Sequence, residues 1–169
     1  ICGRPFIEYQ LNSLREAGVD RVTLCVGHLA TMIENHVLDG ERFGLSVTYS
    51  REDTPLGTGG AVRQAASFVD AENFIVTNGD TYLDFDPERY LNRHQTSDAV
   101  VTVALTPIPT LEMGAVHVSA TGRVTHFLEK QDGPEAEKGF ANAGVYAMDR
   151  SAVTLWPEGP ASLEHDYLP

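Results

Sequence analysis

Between a run that alternates like a strand, Leu45-Ser46-Val47-Thr48-Tyr49-Ser50, and a helical run, Val62-Arg63-Gln64-Ala65-Ala66, stand Pro55-Leu56-Gly57-Thr58-Gly59-Gly60-Ala61. Three glycines within these few positions predict a tight turn that opens a helix. Free backbone N–H groups and the helix dipole would there face a polar ligand, and glycine lets a flat base or ribose approach the backbone. A glycine cluster also serves as a plain turn, but a strand before it and a helix after it favour a ligand site.

A second signal follows. Phe74-Ile75-Val76 is a short apolar run of the kind that makes a buried strand, and Asn78-Gly79-Asp80 ends it. Open α/β sheets bind ligands at the carboxyl ends of their strands. Asp80 in that place can hold Mg²⁺, a cation that keeps several waters and bridges phosphate oxygens, so one protein carboxylate is enough to begin a site. The alternative for Asn-Gly-Asp is turn formation alone.

The remaining pattern predicts alternating helices and strands. Phe6, Leu11, Leu14 and Ala17 recur at helical spacing, with Pro5 suited to the first turn and Gly18 to the C-cap. Arg21 to Val26 reads as a strand, Ala30 to Leu38 as a helix, Ala61 to Phe68 as a helix, and Phe74 to Thr77 as a strand. Asp86-Pro87-Glu88 is a helix start, aspartate as N-cap and proline at the first position, for a helix to about Gln95. Short connections between such units argue for a mostly parallel sheet with helices on both faces. Ala99 to Leu105, Gly114 to Val118, Arg123 to Glu129 and Gly139 to Met148 then read as strands, so the second half is strand-rich and partly antiparallel. With no repeat, low-complexity tract or linker, residues 1–169 are expected to form one domain.

Charge narrows the partners. A formal net charge of −12 argues against nucleic acid and against an anionic membrane. No run of eighteen apolar residues exists to cross a bilayer, and a cytoplasmic location is the default expectation. A phosphate site on so acidic a chain must rely on a metal, backbone N–H groups and a few placed cations. Lys130 and Lys138 are its two lysines. Cys2 and Cys25 lack metal-ligand spacing and read as buried, reduced thiols. Glu129-Lys130, ending a strand, sets an acceptor beside a cation, or is a solvated pair. Asn142-Ala143-Gly144 offers an amide and a close backbone approach, or is a strand with a bulge. Gly114 either exposes its N–H to a ligand or begins a strand. His28 and His94 read as structural, and His126 as a filler in an apolar strand.

Pro55 to Ala61 and Asn78-Gly79-Asp80, in this order and at this spacing, closely resemble the sugar-phosphate nucleotidyltransferase family, within it the guanylyltransferases acting on mannose 1-phosphate or heptose 1-phosphate. The resemblance extends over the whole chain. It implies an α/β fold, a Rossmann-like three-layer sandwich with a mostly parallel central sheet. By resemblance Pro55, Leu56, Gly57, Thr58, Gly59 and Gly60 form the nucleotide-base loop, with Asn78 and Gly79 beside it, and Glu52 reads the guanine edge. Asp80 is the catalytic metal ligand; Lys130 holds the sugar phosphate together with Glu129; Gly114, Asn142 and Gly144 contact the sugar; Ser162 to Asp166 lies near the acceptor. The substrates implied are GTP and a sugar 1-phosphate, the cofactor Mg²⁺.

Family members also open with a strand and a glycine-rich loop carrying an arginine, and carry a second metal aspartate further on. Neither lies between Ile1 and Pro169, so the chain is expected to be a fragment, inactive alone and prone to associate, with homo-oligomerisation a possible outcome. Two other readings remain: a non-catalytic regulatory or assembly subunit with the same fold, and a glycosyltransferase that uses Asp84-Phe85-Asp86 as its metal motif.

Overall fold

The computed structural model describes residues 3–107, 115–128 and 139–168. Helix α1 (Phe6–Glu16) leads into strand β1 (Arg21–Val26), helix α2 (Ala30–Val37) and strand β2 (Ser46–Arg51). Gly18 sits at φ +87°, the left-handed position that ends α1. β1 and β2 pair in parallel from Arg21 opposite Ser46 to Val26 opposite Arg51. Leu11, Val37 and Leu45 are buried beneath them and draw in Ile7, Val22, Ile33 and Val47. This apolar contact, more than helix propensity, holds so short a helix as α2 in place.

Helix α3 (Gly57–Ala65) continues through a 3₁₀ turn into strand β3 (Asn73–Thr77) and helix α4 (Pro87–Gln95). The Asp86 carboxylate caps α4 by accepting from Arg89 N–H at 2.9 Å, which bears out the helix start read from Asp86-Pro87-Glu88. Strand β4 (Val101–Thr106), strand β5 (Ala115–Val118), strand β6 (Val124–Leu128), strand β7 (Ala141–Asp149) and helix α5 (Arg150–Thr154) follow, and Leu163–Tyr167 forms one π-helical turn.

The fold is mixed α/β. β7 lies between β3 and β4 and is antiparallel to both, and β5 and β6 form an antiparallel hairpin. Tyr146 and Met148, both fully buried, project from β7 into a core with Val62, Ala66, Val153 and Leu163. Among the described residues, no strand pairing joins β1–β2 to β3–β7–β4. Side chains tie the two together: Gln10 on α1 donates from Nε2 to the carbonyls of Asn78 at 3.0 Å and Thr81 at 2.9 Å.

Two differences from the sequence reading have physical causes. α3 begins at Gly57, four residues before the expected Ala61, because a chain segment packs closely against its first turn. Cys25 is exposed, not buried, with Sγ 3.8 Å from the Ala61 carbonyl. His94 is structural, 1% exposed, with Nδ1 2.8 Å from Thr102 Oγ1 and Nε2 3.0 Å from Asp149 Oδ1.

Candidate functional site

β3 and β7 set the geometry. Their antiparallel register places Thr77 opposite Val145, so the turn that leaves β3, Asn78-Gly79-Asp80, meets the first residues of β7, Asn142 to Gly144. The Asn78 N–H donates to the Gly144 carbonyl at 2.8 Å. Gly144 is held at φ +66°, and a Cβ there would lie 2.8 Å from Asn78 Nδ2. Only glycine allows this approach of the turn to β7 without strain. Asp80 itself is exposed, and a Cβ on the neighbouring Gly79 would meet open space. Asn142 turns both ends of its amide inward, Oδ1 accepting from Gly144 N–H at 3.0 Å and Nδ2 donating to Tyr146 Oη at 2.7 Å. Each end retains capacity for one further hydrogen bond.

The glycine turn is shaped by the chain as much as by any ligand. Gly57 stands at φ +68°, and a Cβ there would lie 2.6 Å from the Ala161 carbonyl. At Gly59 it would lie 2.6 Å from the Tyr167 ring, and at Gly60 it would overlap the Gly159 carbonyl. The N–H groups of Gly59 and Gly60 both point to the Ala161 carbonyl, at 2.9 and 3.3 Å. The donors expected to be free at the start of α3 are therefore used in part within the chain. Thr58 faces the same segment: its Oγ1 accepts from Leu163 N–H at 2.8 Å and lies 3.4 Å from Glu164 Oε2.

Glu52 follows β2 at the carboxyl end of the parallel pair, and its N–H donates to the Val26 carbonyl at 2.8 Å. Its Oε2 accepts from Leu56 N–H at 2.9 Å, closing the loop through Pro55. Protein atoms crowding the Cys25 sulfur, together with the negative charge of Glu52, raise the thiol from its ordinary value to about 11, although the residue keeps part of its surface exposed. Pro55, Leu56 and Glu52 thus form one bend leading into α3. Gly114, Glu129 and Lys130 lie outside the described residues.

Asp86 caps a helix, and the DxD reading of Asp84-Phe85-Asp86 loses one of its two carboxylates to that role. Among the described residues, no three His, Cys, Asp or Glu side chains are grouped to hold a metal. A single exposed carboxylate fits a hard cation that takes most of its ligands from water and phosphate, and does not fit a closed all-protein cage. A groove lined by Gln10, Leu14, Thr77, Tyr82, Phe85 and Val145 has about 30 Å³ of room, a volume for water and not for a nucleotide. Sequence reasoning gave Tyr146 no role and placed Glu164 only within a stretch near the acceptor; the structure joins both to the site through Thr58 and Asn142.

The model of a family described as nucleotidyl transferase matches residues 1–161. A D-glycero-alpha-D-manno-heptose 1-phosphate guanylyltransferase of Aneurinibacillus thermoaerophilus is 36% identical over 152 residues, which cover 89% of this chain and 64% of that protein. A mannose-1-phosphate guanylyltransferase of Mycobacterium tuberculosis is 31% identical over 169 residues, covering 99% of this chain and 46% of the other. The chain thus spans about half to two thirds of the length of these relatives. Among solved structures, HddC from Yersinia pseudotuberculosis superposes with a TM-score of 0.86 at 27% identity, covering 99% of this chain and 72% of that one, and has also been solved complexed with GMP-PN.

Proposed function

We propose, from the premise that this chain belongs to the nucleotidyl transferase family, that its protein joins a nucleoside triphosphate to a sugar 1-phosphate, releasing a nucleotide sugar and pyrophosphate. GTP is the proposed nucleotide and mannose or heptose 1-phosphate the proposed acceptor. Both choices are supported by the names of the two relatives and by the GMP-PN complex of the similar structure. The observation that carries the reading is the Asn78 to Gly144 contact, which sets a turn with an exposed carboxylate directly beside the start of β7, where a glycine and an oriented amide stand.

In the proposed reaction an oxygen of the sugar 1-phosphate attacks the α-phosphorus. A new P–O bond forms to the sugar phosphate as the bond between the α-phosphorus and its bridging oxygen breaks, and pyrophosphate leaves with that electron pair. The nucleophile is already an anion, so no general base is required, and the task is to align two anions and neutralise charge. Asp80 would hold Mg²⁺, which when bound supplies positive charge to the phosphates. The bend at Pro55 and Leu56, and the Gly57 to Gly60 turn with Asn78 and Gly79, would border the nucleotide. Glu52, with one oxygen pinned by Leu56 N–H, would offer the other to the base edge. Asn142 and Gly144 would face the sugar, and Gly114, Glu129 and Lys130 are assigned the sugar phosphate by resemblance.

Residues 1–169 are proposed to form one domain, in the cytoplasm where such substrates are used, and self-association remains a separate question. No described helix is long and apolar enough to cross a membrane. The test is pyrophosphate release by the protein that carries this chain, with Mg²⁺, four nucleoside triphosphates and mannose, glucose and heptose 1-phosphates. Release confined to GTP with mannose or heptose 1-phosphate is expected. Silence across the whole grid overturns the proposal.

A further inference from the structure

One continuous set of hydrogen bonds crosses the site from the glycine turn to the turn of Asp80. Thr58 Oγ1 lies 3.4 Å from Glu164 Oε2; Glu164 Oε1 accepts from Tyr146 Oη at 2.5 Å; Tyr146 Oη accepts from Asn142 Nδ2 at 2.7 Å. Asn142 Oδ1 accepts from Gly144 N–H at 3.0 Å, and the Gly144 carbonyl accepts from Asn78 N–H at 2.8 Å. The chain of contacts passes through four separate segments, at Thr58, Asn78, Asn142 to Tyr146, and Glu164. Its centre, Tyr146, is 0% exposed.

Burial and the adjacent Glu164 carboxylate both push the Tyr146 phenol up, so it stays protonated and has one hydrogen to give. That hydrogen goes to the carboxylate. The phenol oxygen must then accept from Asn142, which sets the amide of Asn142 with its oxygen toward Gly144. The orientation of the Asn142 side chain is thus decided by a carboxylate on the strap that also contacts the glycine turn.

We infer that Tyr146 and Glu164 are positioning residues that lock the nucleotide-side glycine turn and the sugar-side start of β7 into one fixed relative geometry. Neither is assigned a contact with substrate; they act through Thr58 and Asn142. The inference rests on the reaction proposed above for its catalytic consequence, but the mechanical link does not need it. A cross-site network of this kind is non-additive by nature, because breaking any one bond releases both ends.

The test compares Tyr146→Phe, Glu164→Ala, Glu164→Gln and the double variant Y146F/E164A in the protein that carries this chain. With GTP and mannose or heptose 1-phosphate, Y146F and E164A are each expected to lower kcat/KM for the sugar phosphate about 10- to 100-fold, the size set by a hydrogen bond to a charged group. GTP affinity should fall as well, since the glycine turn is one of the two ends released, and the melting temperature should drop by a few degrees with the loss of a buried hydrogen bond; the double variant should lose no more than the worse single one. E164Q keeps an acceptor oxygen and should recover most of the loss. Amide hydrogen exchange supplies the second readout. Y146F should speed exchange at residues 57–60 as well as at 142–144. Additive losses, no recovery in E164Q, or exchange at 57–60 unchanged by Y146F would overturn the inference. If the unaltered protein turns over no substrate pair, the proposed reaction fails, and exchange alone decides the link.

Discussion

A Cβ on Gly144 would lie 2.8 Å from Asn78 Nδ2, and the Gly144 carbonyl accepts from Asn78 N–H at 2.8 Å, so the turn that carries Asp80 and the first half of β7 are fitted closely against each other. This single contact decides the distance between the proposed metal ligand and the proposed sugar-binding amide.

Gly144→Ala and Gly122→Ala separate strain from collision. Both glycines have positive φ, +66° and +81°, but a Cβ on Gly122 meets nothing within 4 Å. Gly122→Ala should cost about 1 kcal/mol, the left-handed penalty alone. Gly144→Ala should cost about 2 kcal/mol or more, because the turn must also move. Denaturant titration of both variants checks the difference, and equal costs would remove the close fit.

Gly59→Ala should displace the 159–167 segment, since its methyl would strike the Tyr167 ring. That ring stacks on Trp156 with centroids 4.4 Å apart and planes 16° apart. Trp156 is the only tryptophan of the chain, so its emission should shift to the red as the stack opens. An unshifted spectrum would mean that Tyr167 yields without moving the segment.

Asp80→Asn should lower kcat about 100-fold or more, the scale for losing charge stabilisation in a transition state, with a much smaller change in nucleotide affinity. Steady-state kinetics with a direct nucleotide-binding titration distinguishes the two effects. An unchanged kcat would take Asp80 out of the mechanism.

Cys25 should alkylate slowly near neutral pH. The thiolate is the reactive form, and a thiol raised to about 11 is almost wholly protonated at pH 8. In a Cys2→Ser background, the rate with iodoacetamide should climb with pH and level only near pH 11. Glu52→Gln should bring the inflection lower, since one source of the shift is removed. An inflection at the ordinary thiol value would contradict this desolvation of the sulfur.

Local signals were legible in the sequence, and contacts between distant segments were not. β1 was read with its observed limits, because apolar β-branched residues bounded by polar ones depend on little else. The cap on α4 was equally readable, since Asp86 and Arg89 are three residues apart. The start of α3 was placed too late because glycine is a poor helix former; what makes Gly57 to Gly60 helical is the Ala161 carbonyl, a hundred residues on. The π-helical turn at Leu163–Tyr167 and the short α5 were missed for a similar reason. Tyr146 looked like an ordinary β7 core residue, and only the fold brings Glu164 and Asn142 to its hydroxyl.

The most direct measurement follows the phosphorus itself. Phosphorus NMR of the protein that carries this chain, incubated with GTP, Mg²⁺ and mannose or heptose 1-phosphate, should show nucleotide-sugar and pyrophosphate signals growing in equal amounts as the two substrates decline. Consumption of an added nucleotide sugar with release of a nucleoside diphosphate, or spectra that never change while GTP remains bound, would contradict the account.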